Sequence, residues 1–230
     1  MFWQAVWLLH VFLLVKWKYF IYIYGISCFN AISIVETISR WIVLYDEVKK
    51  FYIVLNKTMK VFFDHCSHSF KTTFQRVMKD PRGWTSRGYS FDTTNDSTSA
   101  DIIVRFETNV ELEARFGHLS VFKEDLKGLS ITVMNSVPKE IYINRNNWNR
   151  PPAAFQVVDE HNKRVDDHTR LMVYQAYIVQ HELGHAIGLD HPSEETTEIV
   201  RNCHPMKQQS KDTSTCRANP WIHEFEKTNR

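Results

Sequence analysis

The sequence predicts an α+β domain in which strand, helix, further strands and a long helix precede an irregular tail. Three observations carry this reading. Short runs rich in β-branched and aromatic residues recur at Phe51–Leu55 (FYIVL), Ala100–Phe106 (ADIIVRF), Leu129–Met134 and Ile141–Asn144. Apolar residues fall at helical spacing over His65–Met78 and again over Arg170–Leu189. After Pro192 the chain turns polar, with no long periodic stretch. A chain of 230 residues, 43% hydrophobic and 23% charged, has enough apolar material for one ordinary domain with a core, plus something short.

The surplus lies at the start. Phe2–Val15 is apolar apart from Gln4 and His10, Lys16 and Lys18 interrupt it, and Tyr19–Val35 carries no charge. That second run reaches the lower limit of about 17 residues for a membrane-spanning helix. A cleaved signal peptide places its basic residues first, and here the order is reversed. Residues 1–35 are therefore expected to anchor the chain in a membrane, with Lys16 and Lys18 on the cytoplasmic side and the rest extracytoplasmic. An unusual signal peptide, which gives a secreted protein, and a buried apolar helix are the alternatives. Residues 36–47 read as a spacer and residues 48–230 as the folded domain.

Within that domain, Phe70, Phe74, Val77 and Met78 supply the buried face of the first helix, which Pro81 ends. Asp80–Trp84 (DPRGW) is a turn followed by an aromatic anchor. Residues 93–99 form a polar loop, and Arg145–His168 is mostly loop. The long helix offers Leu171, Tyr174, Ile178, Leu183 and Ile187 to a core. A formal charge of +2 leaves no basic face, which argues against nucleic acid as a partner. Four cysteines (Cys28, Cys66, Cys203 and Cys216) are too few for a disulfide-built scaffold, and no CxxC pair offers a thiolate zinc site.

The chemistry is concentrated in residues 181–191, HELGHAIGLDH. Positions i and i+4 share a helix face, so His181 and His185 can present two imidazoles to one Zn²⁺. Glu182 stands beside them, where a carboxylate can take a proton from bound water. Gly188 can adopt a positive φ and turn the chain out of the helix, bringing His191 back as a third ligand and leaving a fourth position open. A random chain with this composition shows HExxH about 0.03 times, and requiring the later Gly and His multiplies this by about 0.0015. Chance is a poor explanation of the long motif.

This motif matches the signature HExxHxxGxxH, and the chain resembles the metzincin clan of zinc metallopeptidases. Over residues 48–230 it looks like a bacterial, matrixin-like family of metallopeptidases. The shared features are DPRGW, the aromatic strand Tyr89–Phe91, ADIIVRF, IYINRNNW at Ile141–Trp148, the zinc motif, PMKQQS at Pro205–Ser210, and Asn219-Pro220-Trp221 after Cys216. The resemblance implies a metzincin-like catalytic domain: a twisted mixed sheet, an active-site helix, a Met-turn at Met206 and an irregular C-terminal part. It also implies that the Ile141–Asn144 strand is the sheet edge on which an extended peptide substrate is laid. The chain departs from the family in its aromatic N-terminus and in an Asp/Ser/Glu/Thr-rich insertion at residues 190–198, beside His191. Where some metzincins carry a tyrosine ligand two residues after the methionine, this chain has Gln208.

The expected activity is peptide-bond hydrolysis, with zinc on His181, His185 and His191 and Glu182 as general base. A zinc amidase or deamidase, or an inactive membrane-anchored binding module, are the rival readings. Cys203 and Cys216 are expected to form a disulfide in the tail, provided the compartment is oxidising; otherwise both remain thiols. Cys66 reads as a small buried residue, with a zinc-capping thiolate as the alternative. His65 and His68 read as a solvated face, and His204 as a loop histidine with a substrate-binding role as its alternative.

Overall fold

The computed structural model describes residues 58–118, 129–192, 202–211, 213 and 215–228. The chain divides into Met1–Val54 and Leu55–Arg230, and every described residue lies in the second unit. The apolar segment 1–35, the spacer 36–47 and the expected strand Phe51–Leu55 lie outside the described residues. Among those described, no helix is long and apolar enough to cross a membrane.

The first strand, β1 (Thr58–Asp64), buries Met59, Val61 and Phe63 and exposes Thr58 and Lys60, the two-residue alternation of a pleated strand. It follows the FYIVL run and escaped the sequence reading because Lys60 and Asp64 dilute its apolar signal. Helix α1 (His68–Met78) starts three residues later than its apolar spacing predicts, because Ser67 caps it by accepting from the Phe70 N–H at 3.4 Å. It buries the expected Phe70, Phe74, Val77 and Met78. Strands β2 (Ser90–Thr93) and β3 (Ile102–Glu107) follow, then a short helix α2 (Asn109–Phe116) closed by a capping box between Thr108 and Glu111.

The sheet has five strands. In space they run β2, β1, β3, β5 (Lys139–Asn144) and β4 (Ile131–Val133). All neighbours are parallel except β4, which pairs antiparallel with β5 through Ile131–Tyr142, Thr132–Ile141 and Val133–Glu140. The expected edge at Ile141–Asn144 is therefore corrected. That strand lies inside the sheet, between β3 and β4, and among the described residues β4 forms the edge. The run IYIN has four successive buried residues, which is what a strand covered on both faces shows.

Three helices complete the domain. Helix α3 (Arg145–Asn149) occupies the start of the expected loop. Helix α4 (Asp167–Ala186) begins where Asp166 accepts from the Thr169 N–H at 2.9 Å, and ends three residues before Leu189. Helix α5 (Ile222–Thr228) lies in the tail expected to be irregular. Helices α1 and α4 pack together, and one core joins Val61, Phe63, Phe74, Val104, Ile141, Tyr177 and Leu183.

The DPRGW turn fixes α4 in place. The Trp84 indole donates to the Gln180 carbonyl at 2.6 Å, and the Gln180 side chain donates to the Val77 carbonyl of α1 at 2.8 Å. Gly83 is needed there because a Cβ would overlap the Gln180 amide. Trp221 lies 4.2 Å from the Arg82 guanidinium, so two sequence motifs far apart in the chain meet as a cation–π pair.

The tail is tied by side chains. Cys203 and Cys216 form a disulfide with Cα atoms 5.0 Å apart, across 13 positions. The buried Gln209 amide donates to the carbonyls of His204 and Asn219, and Asn219 donates to those of Cys203 and Trp221. Replacing both cysteines by serine is expected to cost at most about 3 kcal/mol, the loop-closure entropy of a ring of this size. A calorimetric melt that matches wild type under oxidising conditions would show that the bridge contributes nothing.

Candidate metal centre

The last two turns of α4 carry His181, Glu182 and His185. Beyond Ala186 the helix closes with a Schellman turn. Gly188 has φ +96°, its N–H donates to the His185 carbonyl at 2.9 Å, and the Leu189 N–H donates to the Gly184 carbonyl at 3.0 Å. The turn carries His191 back over the helix face. The His191 Nε2 then lies 3.1 Å from the His185 Nε2 and 3.2 Å from the His181 Nε2.

Ligand atoms of the three histidines all fall within 4.8 Å of one another, so the group can hold a metal ion. Tetrahedral nitrogens bound at 2.0–2.1 Å stand about 3.3 Å apart, close to the two spacings seen here. The outer nitrogens are also engaged. The His181 Nδ1 meets the Pro205 carbonyl at 2.9 Å, and the His185 Nδ1 meets the Leu189 carbonyl at 2.7 Å. Each carbonyl accepts, so each Nδ1 carries the proton and each Nε2 keeps its lone pair for a metal. Burial pushes the His181 pKa down to about 3, and burial also lowers His185 and His191. All three are held as neutral imidazoles, the form that binds metal.

Glu182 is 2% exposed, and burial raises its pKa from the ordinary 4.5 to about 7. Its one resolved side-chain partner is Thr132 of the edge strand, whose hydroxyl lies 2.6 Å from Oε2. A raised carboxyl pKa penalises the ionised, folded state. The penalty is absent below pH 4.5, grows between 4.5 and about 7, and is full above that. Metal-free Glu182→Gln protein is therefore expected to be more stable than metal-free wild type at pH 8, by about 3 kcal/mol. The advantage should vanish by pH 4, and urea titrations at the two pH values that show equal differences would contradict it.

Met206 packs against the turn of α4 between His181 and His185. It is 1% exposed, and its sulfur and the Trp84 ring both press on Gly184 between the two helical ligands. A Cβ at Gly184 would overlap the Met206 sulfur and lie 2.9 Å from the Trp84 Cζ2. The preceding Pro205 carbonyl is the one that holds His181. The Tyr177 ring lies 5.2 Å from that of His181, and its hydroxyl donates to the Lys207 carbonyl at 3.0 Å.

A cleft of about 250 Å³ opens over the three histidines and Glu182. Its walls come from Ile131, Thr132 and Met134 of the edge-strand region and from Tyr177, Gln208 and Ser210. The structure thus brings His181, Glu182 and His185 of α4 together with His191, which the turn at Gly188 carries back over the helix face. Cys66 is elsewhere: its thiol contacts the Asp64 and Val104 carbonyls, and burial pushes its pKa up to about 12. His204 is structural, its Nδ1 accepting from the Met206 N–H at 3.1 Å and its ring meeting Phe225 edge-on. His65 and His68 join no metal-competent cluster among the described residues. Thr132, Gly184 and Tyr177 carried no signal in the sequence that marked them as site residues.

No protein-family model matches the chain, and no curated protein matches it. Among solved structures, that of myroilysin is 12% identical with a TM-score of 0.34, covering 59% of this chain and 50% of its own. The chain therefore spans about half the length of myroilysin over the matched part.

Proposed function

We propose that this domain hydrolyses peptide bonds, using a zinc ion held by His181, His185 and His191 and Glu182 as general base. The observation that carries the reading is the convergence of three imidazole Nε2 atoms beside one buried carboxylate in an open cleft. Zinc in such a site lowers the pKa of water towards 7 and polarises a carbonyl. Glu182 takes the proton of the attacking water and passes it to the leaving nitrogen. Burial raises the carboxyl pKa of Glu182 in the metal-free site, and a bound cation would draw it back towards the ionised form that accepts a proton. The antiparallel edge strand β4 runs along the cleft and offers its open side to an extended peptide.

Gly188 and Met206 favour the metzincin type. The disulfide favours an oxidising compartment, in keeping with an anchor at residues 1–35 and an extracytoplasmic domain. A zinc amidase or deamidase uses the same chemistry. An inactive binding module is disfavoured because a metal scaffold needs the histidines but not a buried carboxylate beside them.

The test is a peptide library incubated with the purified full-length chain, with and without a chelator. Cleavage that stops with chelator and returns with zinc supports the reading. Release of ammonia without chain cleavage points to the deamidase. No reaction at all from protein that holds zinc favours the binding module.

A further inference from the structure

We infer that Thr132 is the positioning residue for the Glu182 carboxylate, coupling the base to the edge strand on which a substrate would lie; this rests on the hydrolase reading above. Two contacts motivate it. The Thr132 Oγ1 lies 2.6 Å from the Glu182 Oε2 and 3.2 Å from the Glu182 carbonyl oxygen. A hydroxyl has one proton to donate. The shorter distance is that of a charge-assisted O–H···O⁻ bond, so the proton goes to the carboxylate.

The placement is specific. Thr132 is the middle residue of β4, which is only three residues long, and it lies 50 positions from Glu182 in the chain. Its register is held by pairing with Ile141 of the buried strand β5. The hydroxyl thereby carries a fixed position from the sheet to the base. A Glu side chain has three rotatable bonds, and a free carboxylate samples several orientations. Here Oε2 is held by Thr132, and Oε1 remains as the oxygen that Thr132 does not engage. Both residues line the same cleft. A peptide pairing with β4 would bond to the backbone of the strand whose side chain orients the base. Substrate register and base position therefore share one support.

Thr132→Val keeps the shape and the strand preference and removes only the hydroxyl. Thr132→Ser restores the hydroxyl without the methyl group. The expected results for Thr132→Val are a fall in kcat of about tenfold, the worth of one hydrogen bond to a charged group, a KM within about twofold of wild type, and unchanged zinc content. Thr132→Ser should recover most of the kcat. A second readout is independent of catalysis: a crystal structure of metal-free Thr132→Val should show the Glu182 carboxylate in a different or split orientation. If wild type cleaves no peptide, the hydrolase reading fails, and that crystal structure still judges the clamp. Wild-type kcat in Thr132→Val, or an unmoved Glu182 carboxylate in its crystal structure, overturns the proposal. A serine variant as slow as the valine variant does so too.

Discussion

Glu182→Gln is expected to keep the fold and the metal and to lose peptide hydrolysis by at least about 100-fold, the lower end of what a positioned general base contributes. The reason is chemical. Glutamine matches glutamate in shape, and its carbonyl oxygen can still accept from Thr132, but it cannot take a proton from water. The surroundings sharpen the effect, because Glu182 is 2% exposed and is the only carboxylate among the described residues lining the cleft besides Asp190. Asp190 follows Leu189, beyond the Schellman turn. Single-turnover kinetics on a peptide cleaved by wild type would measure the loss, with zinc content read on the same samples. A variant that retains wild-type turnover removes Glu182 from the reaction.

His181→Ala is expected to take zinc from about one per chain to none at micromolar protein, a loss of affinity exceeding about 100-fold. Changing only the outer partner of a ligating histidine costs 10–100-fold, so losing the ligand itself should cost more. His181 is also the most enclosed of the three, 6% exposed, and its ring is fixed by the Pro205 carbonyl. Its removal leaves that carbonyl without its imidazole donor and opens a gap next to Tyr177. His191→Ala should retain more zinc, because His191 is exposed and reaches the site from the turn rather than from the helix. Elemental analysis of folded protein, supported by chelator competition, checks the order. Zinc-free wild type with a normal melt would discard the metal reading, and His181→Ala holding zinc as wild type does would discard the ligand assignment.

The three-histidine cluster was legible in the sequence because most of it is local. His181, Glu182 and His185 lie within two turns of one helix, and Gly188 marks the place where the chain turns back. Helix spacing and one positive φ were enough to gather three imidazoles that can hold a metal ion. The partners that tune those ligands were not legible. The Pro205 and Leu189 carbonyls are backbone atoms and leave no trace in side-chain chemistry. Thr132 reaches Glu182 only because β4 pairs outside β5, and a three-residue strand is too short for its alternation to be counted. The strand itself was expected within Leu129–Met134, whereas the brevity of α3 and α5 hid both helices. The order of strands followed from neither propensity nor pattern, and the family resemblance placed the edge one strand too far inward. The unbroken apolar run Ile141-Tyr142-Ile143, without alternation, was the available clue.

If the domain cleaves peptides as proposed, its own tail lies within reach of other copies of the enzyme. A chain is cut where its backbone can be drawn out straight, and the burial and hydrogen bonding of that backbone decide whether it can. Between Cys203 and Trp221 the described chain has no helix and no strand beyond one isolated bridge, a composition that ordinarily invites nicking. Here the Cys203 N–H is bonded to the Arg217 carbonyl at 2.8 Å, and the Lys207 carbonyl to the Tyr177 hydroxyl. The amides of Gln209 and Asn219 hold four more carbonyls. To thread this segment into a neighbour's cleft, the disulfide must open and both buried amides must lose their partners. On the proposed reading, resistance to self-digestion rests on the disulfide and on the Tyr177, Gln209 and Asn219 side chains, and a reducing environment would expose the molecule to its own kind.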